Sequence, residues 1–184
     1  MSKPASKSRS TIGVNRVIVR PKPLSQTRCL LRFGHLTFQA SWGRSGRSIF
    51  KREGDGATPI AKMQILYGVY KHRINHRRPC RIDMKAIQKT MGWCDESDHP
   101  QYNRLVKLPF QKSCELMLRS DRLYDFVFVI DWNIKSRKRQ QGSAIFFHVA
   151  KPGYPPTEGC IAMSRSDMMQ ILPYLGSKAV LEVK

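Results

Sequence analysis

Two residues have the types and spacing that nucleophilic catalysis needs: a histidine near the end of an apolar run, and a cysteine behind a glycine. The apolar run is residues 144–149, and it delivers His148. A loop rich in Pro and Gly at 151–156 then leads to Thr-Glu-Gly-Cys at 157–160. Because a stiff loop holds its two ends in a fixed relation, this pattern predicts a nucleophile–base pair formed by Cys160 and His148.

A cysteine must lose its proton before it attacks, and the sequence around Cys160 offers two kinds of help. His148 can take the proton, and the positive end of an amphipathic helix predicted over residues 164–172 favours an anion. Gly159 allows a substrate to approach closely, and its N–H is predicted to hold an oxyanion together with that of Cys160. Val149 follows His148 and cannot orient the imidazole through its side chain, so a backbone carbonyl is the expected third partner.

Spacing alone leaves a non-catalytic interpretation open. A lone histidine on an apolar strand is more often a hydrogen-bonded core residue, and a lone cysteine more often packs as a small apolar side chain. The same holds for His35, which lies beside a predicted turn and is expected to be exposed. Catalysis by Cys160 therefore needs support beyond the pattern itself.

Metal and phosphate chemistry are not indicated. The five cysteines contain no CxxC pair, and His72 and His76 lie in a basic cluster without a nearby third ligand, so the sequence predicts neither a metal site nor a cofactor. The Gly-rich loop at 42–60 lacks the P-loop pattern. An odd number of cysteines leaves at least one free thiol, and two disulfides among the other four remain open.

The predicted elements are mostly strands, which makes the fold mainly β, a β-rich α+β domain. Two apolar runs on either side of Gly34 predict a hairpin. The longest apolar run, residues 123–130, is expected to be a central strand that pairs antiparallel with 144–149. The predicted strands are 14–20, 29–33, 35–40, 65–69, 123–130, 144–149 and 178–183.

Short helices are predicted at 84–92, 112–119 and 164–172. Ser164 is a candidate N-cap of the last helix with Asp167 three residues on, and Pro173 and Gly176 are expected to end it. Residues 1–13 are predicted to be a disordered basic tail. Residues 14–184 are predicted to form a single domain.

The chain carries a formal net charge of +20, which predicts a polyanionic or carboxylate-rich partner. Nucleic acid, anionic lipid headgroups and an acidic cell-wall polymer all satisfy that requirement. No apolar run approaches the roughly 20 residues of a membrane span, so no transmembrane segment is expected. The first 24 residues contain no apolar core of a signal peptide, which taken literally favours the cytoplasm.

Several motifs together resemble the L,D-transpeptidase catalytic domain, the YkuD-like family. That family has a histidine, a variable loop, and then Ser/Thr-His-Gly-Cys, as in His148 and 157–160 here. Gly-Asp-Gly-Ala-Thr-Pro at 54–59 is similar to the family's Gly-Asp-x-x-Thr-Pro segment. The segment Gly-Trp-Cys-Asp through Tyr-Asn-Arg, within residues 92–104, and Thr-Glu-Gly-Cys resemble a variant bacterial subgroup.

Three features depart from the family pattern. Glu158 stands where the family has a histidine, and Ala162 stands where it has an arginine thought to lie near the substrate carboxylate. The interval of 12 residues from His148 to Cys160 is shorter than usual. Arg165, or the basic cluster at 73–81, is the candidate source of the missing positive charge.

The resemblance implies a mechanism and a partner. Cys160 attacks a peptidoglycan stem tetrapeptide after its diaminopimelate residue, and His148 protonates the D-alanine that leaves. The resulting thioester is resolved by an amine of another stem, a D-amino acid or a protein. Tyr154, Thr157, Glu158 and Arg165 are predicted substrate contacts. The family fold is a β-sandwich-like mixed sheet with a short capping helix.

The resemblance also places the protein in the periplasm or on the cell-wall side, against the missing signal peptide, and makes nucleic acid an unlikely partner. Two alternatives remain. Water as the acceptor makes the protein an L,D-carboxypeptidase on the same scaffold. A structural cysteine makes it a non-catalytic basic module that binds an anionic polymer.

Overall fold

The computed structural model describes residues 14–71 and 80–184. Within these two segments the chain forms fourteen β-strands, one α-helix and one short 3-10 helix. The predicted tail at 1–13, and His72 and His76 with most of their basic cluster, lie outside the described residues. The strands are β1 (Val14–Pro21), β2 (Arg28–Phe33), β3 (Leu36–Ser41), β4 (Arg47–Ser48), β5 (Thr58–Pro59), β6 (Lys62–Tyr70), β7 (Met84–Ala86), β8 (Met91–Cys94), β9 (Arg104–Lys107), β10 (Cys114–Leu116), β11 (Phe126–Ile130), β12 (Phe146–Val149), β13 (Ile161–Met163) and β14 (Leu175–Val183).

Nine strands form one mixed sheet in the order β11-β12-β13-β3-β2-β1-β14-β6-β7. Strand β11 also pairs with β6, so eight of the strands form a closed ring of hydrogen-bonded neighbours, and β7 is added to β6. The pairs β1–β14, β12–β13 and β6–β7 are parallel, and the other pairs are antiparallel. The predicted strand-rich mixed sheet is therefore confirmed, and closure leaves few free sheet edges.

The core inside the ring follows the alternation of the strands. Val17 and Val19 of β1, with Phe126 and Phe128 of β11, point inward and are buried. Phe128 packs on Phe147 with ring centroids 5.9 Å apart. Because side chains alternate between the faces of a strand, the neighbours of these residues lie on the outer face of the ring.

A second apolar cluster covers the outer face of β11 and β12. It includes Val127, Val129 and Phe146 from the ring and Trp93 from a small antiparallel sheet of order β10-β8-β9. The Trp93 and Phe146 rings meet edge to face, with centroids 5.1 Å apart. Strand β11 is consequently buried on both faces, which explains why its sequence is an uninterrupted apolar run.

Three predicted elements are confirmed where the signal is local. The hairpin at β2 and β3 forms around Gly34, and His35 is exposed beside its turn. Strands β11 and β12 pair antiparallel. The helix α1 (Arg165–Ile171) begins at Ser164, whose hydroxyl accepts the N–H of Asp167 at 3.1 Å.

The predicted helices at 84–92 and 112–119 are wrong. The first region contains strands β7 and β8, joined by a turn in which the Met91 N–H bonds the Gln88 carbonyl. The second contains β10, which pairs with β8. Both segments gain strand partners that are distant in sequence, and such pairing overrides a weak helix preference.

The chain after α1 also differs from expectation. Pro173 lies in a 3-10 helix (Leu172–Tyr174), and β14 then begins at Leu175, so Gly176 belongs to a strand and does not end the helix. Across the described residues, no helix is both long and apolar enough to cross a membrane.

Candidate active site

A cavity of about 660 Å³ lies between the outer face of the ring and the small sheet. His148 and Cys160 both line it, so the structure brings the two predicted catalytic residues to one space. Its other walls come from the loop before Cys160, from the approach to β12, and from the segment that joins β10 to β11. The lining residues are Ser41, Glu53, Gly54, Asp95, Glu115, Arg119, Leu123, Tyr124, Ser143, Ala144, His148, Ala150, Lys151, Pro155, Pro156, Thr157, Glu158, Cys160 and Ala162.

His148 is held by the backbone of its own neighbour. Its Nδ1 lies 2.9 Å from the carbonyl oxygen of Val149. Since a carbonyl only accepts, Nδ1 carries the proton and Nε2 keeps its lone pair as a base. Burial lowers the pKa of His148 to about 4, with a smaller lowering from the nearby Arg119 guanidinium, while the Val149 hydrogen bond opposes both. The imidazole is therefore neutral at physiological pH.

Cys160 is also neutral. Its Sγ donates to the Ala144 carbonyl at 3.2 Å and accepts the Phe146 N–H at 3.4 Å. Burial raises the pKa of the thiol to about 12, with a further rise from the Glu115 carboxylate, although the Phe146 N–H opposes it. The free protein thus carries an uncharged thiol and imidazole and not a thiolate–imidazolium pair, because the buried site favours the uncharged form of both groups.

Thr157 organises the loop that ends at Cys160. Its Oγ1 donates to the Cys160 carbonyl at 2.6 Å and accepts the Gly159 N–H at 3.2 Å. Its own N–H bonds the Trp42 carbonyl at 2.9 Å. Thr157 lines the cavity as predicted for a substrate contact, but its hydroxyl is already used within the loop. The Gly159 N–H, expected to be free for an oxyanion, is also bonded here.

The backbone at Gly159 requires glycine. Its φ is +135°, and a Cβ would lie 2.9 Å from the Ala57 carbonyl oxygen and 3.2 Å from Ile145 Cδ1. The Gly159 carbonyl accepts the Thr58 hydroxyl at 2.8 Å, and that hydroxyl in turn accepts the Gly43 N–H at 2.9 Å. Thr58 therefore fixes the cysteine loop, a role that the sequence signals only through the resemblance at 54–59.

Asp55 braces the segment that carries Thr58. Its carboxylate accepts the N–H groups of Arg52 at 2.7 Å and Ala57 at 2.9 Å, and the ammonium of Lys51 at 2.5 Å. Partial burial acts to raise the pKa of Asp55, but these hydrogen bonds outweigh it, and the pKa lies below its usual value. The motif at 54–59 thus stabilises the loop that carries Cys160.

Three predicted substrate contacts have other surroundings. Glu158 lies at the cavity rim, where it pairs with Arg44 at 2.8 Å, and its side chain is 77% exposed. Arg165 does not line the cavity: its Nε pairs with Asp125 at 3.3 Å, and its guanidinium lies over the Phe126 ring. Tyr154 is also not among the lining residues. Arg165 therefore does not reach this cavity in the structure, and its assignment as the replacement for the missing arginine stays a prediction.

The structure adds a group of residues that the sequence did not indicate. The Tyr124 ring meets His148 edge to face, with centroids 5.5 Å apart, and its hydroxyl bonds Glu115. The Arg119 guanidinium lies over the Tyr124 ring at 5.2 Å and donates twice to Asp121, at 3.0 and 2.8 Å. Burial raises the pKa of Glu115. No local motif marks this group, and part of it falls in a segment that the sequence predicted as helix.

The motif around Trp93 supports the approach to β12. The Asn103 side-chain oxygen accepts both the Trp93 indole N–H at 3.0 Å and the Ala144 N–H at 3.1 Å, and its amide donates to the Trp132 carbonyl at 3.1 Å. Ala144 has φ of +50°, and its carbonyl is the acceptor for the Cys160 thiol. This network therefore positions the surroundings of the sulfur, and of its residues only Ala144 lines the cavity.

Ala162 lies in register between two residues of the cavity. Across the sheet it pairs with His148 on β12 and with Ser41 on β3. All three line the cavity, and Ala162 fills only a small part of it. The family arginine is therefore absent from a position that is directly adjacent to His148 across the sheet.

Comparison with known proteins agrees with this geometry. The sequence model of the YkuD family, the L,D-transpeptidase catalytic domain, matches residues 17–183. No curated protein sequence matches the chain. The match covers both catalytic candidates, the Gly-Asp-Gly-Ala-Thr-Pro segment and the ring of strands from residue 17 onward. The chain therefore belongs to the YkuD family of L,D-transpeptidase catalytic domains.

Proposed function

We propose that the protein is a peptidoglycan L,D-transpeptidase in which Cys160 forms an acyl-enzyme and His148 moves the protons. One observation carries the proposal: Val149 accepts the Nδ1 proton, which leaves Nε2 of His148 as a base in the same cavity as the Cys160 thiol. Because both groups are neutral, Nε2 takes the thiol proton as the sulfur attacks the donor carbonyl. The same proton then goes to the leaving D-alanine.

The oxyanion of the tetrahedral intermediate needs hydrogen-bond donors near the sulfur. We assign this role to the backbone N–H groups of Cys160 and Gly159. The Gly159 N–H bonds the Thr157 hydroxyl at 3.2 Å, a long hydrogen bond, so it exchanges that partner for the developing negative charge. Thr157 keeps its shorter bond to the Cys160 carbonyl and holds the loop during the exchange.

Arg119 is the proposed contact for a donor carboxylate, in place of the family arginine that is absent at Ala162. It lines the cavity, its side chain is 32% exposed, and it lies close enough to His148 to affect the imidazole pKa. Asp121 fixes its orientation through two hydrogen bonds, from Nε and Nη2, and Nη1 lies 3.6 Å from Glu115. N–H groups of Nη1 and Nη2 remain for a ligand. Lys151 at the rim supplies the second positive charge of the cavity lining.

The charge of the cavity favours an amine acceptor over water. The chain as a whole is strongly basic, yet the lining contains four acidic residues and two basic ones. The negative charge of a carboxylate-lined space attracts an ammonium group, whereas a neutral water molecule is not concentrated by it. The acidic lining residues are Glu53, Asp95, Glu115 and Glu158. We accordingly propose transfer to an amine, of a stem peptide, a D-amino acid or a protein, with the substrate on the outer side of the membrane.

The proposed reaction is tested with purified protein, a stem tetrapeptide and an amine acceptor, followed by mass spectrometry of the products. We expect D-alanine release, a cross-linked or exchanged product, and a covalent carbapenem adduct on Cys160. The Cys160→Ala protein should give neither product nor adduct. Accumulation of tripeptide alone would replace this proposal by the carboxypeptidase. Absence of an adduct, with salt-sensitive binding to an anionic polymer, would replace it by the non-catalytic module.

The role of Arg119 is tested separately with Arg119→Met. We expect the KM for the donor to rise about tenfold or more. Because Arg119 lowers the pKa of His148, we also expect the acid limb of the kcat pH profile to move to slightly higher pH. Arg165→Met is the matched control, because it removes an arginine that also pairs with one aspartate but lies off the cavity. An equal rise of KM in both variants would rule out a specific role of Arg119.

A further inference from the structure

We propose that Cys94 and Cys114 are joined by a disulfide bond in the mature protein. The two residues lie directly opposite each other on the antiparallel strands β8 and β10. Side chains of directly opposed residues lie on the same face of a sheet, so the two sulfur atoms point to the same side. The three remaining cysteines have other positions: Cys29 is buried in the core, Cys80 is packed against that core, and Cys160 is in the cavity.

The hydrogen bonds between β8 and β10 show whether the two cysteines form a hydrogen-bonded or a non-hydrogen-bonded pair. In the pair next to the cysteines, the Asp95 N–H donates to the Ser113 carbonyl. On the other side of the cysteine pair, three pairs along the ladder, the Met117 N–H donates to the Met91 carbonyl. Hydrogen-bonded and non-hydrogen-bonded pairs alternate along an antiparallel ladder. The cysteine pair therefore falls at a non-hydrogen-bonded position.

That position has the geometry that a disulfide needs. Directly opposed Cα atoms at a non-hydrogen-bonded pair are about 4.5 Å apart, and their side chains approach more closely than at hydrogen-bonded pairs. Disulfides in proteins have Cα separations of roughly 4.4 to 6.8 Å. The bond can thus form with rotation of the side chains and little movement of the backbone.

The surroundings of the Cys114 sulfur leave room for that rotation. Cys114 Sγ lies 3.4 Å from the point where a Cβ of Gly92 would stand, so the missing side chain of Gly92 gives this sulfur its space. Cys94 is fully buried and Cys114 is partly exposed. An oxidant can therefore reach Cys114 first.

The bond would form by thiol–disulfide exchange with a small or protein disulfide as oxidant. The Cys114 thiolate attacks one sulfur of the oxidant, and the other sulfur leaves as a thiol. The Cys94 thiolate then attacks Cys114 in this mixed disulfide and releases the second thiol. Two cysteine thiols lose two protons and two electrons, and the oxidant disulfide gains them. The inference rests on the outer-side location in the proposed function, because disulfides persist in oxidising compartments.

The bond would act on the wall of the cavity. Asp95 follows Cys94 and Glu115 follows Cys114, and both residues line the cavity. A covalent link between the two strands therefore fixes these carboxylates relative to each other. The expected benefit is a more stable small sheet and a constant spacing of the acidic groups.

The test uses the full-length Cys160→Ala protein, equilibrated in a buffer of reduced and oxidised glutathione at the poise of an oxidising compartment. Unpaired thiols are alkylated, and the protein is digested with trypsin without reduction. Arg104, Lys107 and Lys112 separate the two cysteines, so only a disulfide keeps their peptides together. We expect one linked peptide pair containing Cys94 and Cys114, lost on reduction. We also expect the melting temperature to fall by about 6 °C or more on reduction.

Two variants keep the inference falsifiable. Cys114→Ser should abolish the linked pair and the effect of reduction on melting, and Cys80→Ser should leave both unchanged. Alkylation of both Cys94 and Cys114 at equilibrium, or a link of either one to Cys80 or Cys29, would overturn the proposal. Because the protein under test lacks the nucleophile, the outcome does not depend on whether the transpeptidase reaction is correct.

Discussion

The two walls of the cavity are built in different ways. The barrel wall (Ser41, His148, Cys160 and Ala162) carries no formal charge at neutral pH, and backbone groups fix its two reactive side chains. The small-sheet wall (Asp95, Glu115 and Arg119) is charged, and side-chain contacts orient Glu115 and Arg119. The proposed reactive pair is thus positioned by hydrogen bonds to backbone groups, and the proposed recognition residues are positioned by a network of side chains. This division allows specificity to change without disturbing the reactive pair.

Gly159→Ala is expected to have the largest effect, because it disrupts the backbone that holds the barrel wall. The new Cβ meets the Ala57 carbonyl, and the cysteine loop must shift. Displacement of the nucleophile by about 1 Å lowers turnover about 100-fold. The measurement is product formation, with a melting curve to verify folding. Gly34→Ala is the matched control: its φ is also positive, but no atom lies within 4 Å of the added Cβ. Equal losses in both would point to backbone strain alone.

The neutral state of the barrel wall predicts how Cys160 reacts with iodoacetamide. With the thiol pKa raised to about 12, the reactive thiolate fraction should increase about tenfold per pH unit between pH 7 and 9. The rate is followed by mass spectrometry of the peptide that contains Cys160. The His148→Gln protein should show the same slope. A rate independent of pH over this range would mean that a thiolate–imidazolium pair is present after all.

Asn103→Ala tests the junction between the two walls. It removes the acceptor of Trp93 and Ala144 and the donor to the Trp132 carbonyl, and a buried indole N–H loses its partner. We expect a loss of about 1–3 kcal/mol in the free energy of unfolding, measured by urea denaturation. Asn133→Ala is the control, because its φ is also positive and its amide bonds the turn at 136–138 and the Gly142 carbonyl without contacting Trp93 or Ala144. A loss no greater than that of Asn133→Ala would contradict the importance of this network.

Glu158→Gln should have the smallest effect. Its ion pair with Arg44 is largely exposed and belongs to neither wall. Exposed pairs contribute at most about 1 kcal/mol and are screened by salt. Thermal melting of the variant should therefore differ little from that of the parent, and the difference should vanish at high salt. A large, salt-independent loss of stability would show that Glu158 supports the cysteine loop itself.

The parts of the fold that the sequence predicts well are those with local signals. Ser164 caps α1 through Asp167, and strand β11 is a continuous apolar run. The parallel pairing of β1 with β14 could not be predicted from the sequence, because the two strands come from opposite ends of the chain. The wrong helix at 112–119 has the same cause, since β10 is a strand only through its pairing with β8.

The residues of the candidate site fall into the same two groups, those with a local sequence signal and those brought together only by distant strand pairing. His148 and Cys160 follow from their types and from the motif between them. Arg119 and Tyr124 reach the cavity only because β11 pairs with β12, and no spacing rule connects them to His148. Thr58 was implied by a family motif, but its hydrogen bond to Gly159 depends on contact between segments about 100 residues apart. Physical proximity of this kind is a property of the closed sheet.

The hydrogen bond from His148 to the Val149 carbonyl has a consequence for which amino-acid substitutions this protein can tolerate. The atom that orients the proposed base belongs to the main chain, so no single substitution can delete it. Under the proposed mechanism, a side-chain scan should find two indispensable groups where a triad protease shows three. The bond depends on the course of β12, which is secured by the Ala150 N–H to the Met163 carbonyl at 2.7 Å and the Val149 N–H to the Leu123 carbonyl at 3.1 Å. The orientation of the imidazole is therefore set by the fold, and side-chain substitutions that preserve the fold do not change it.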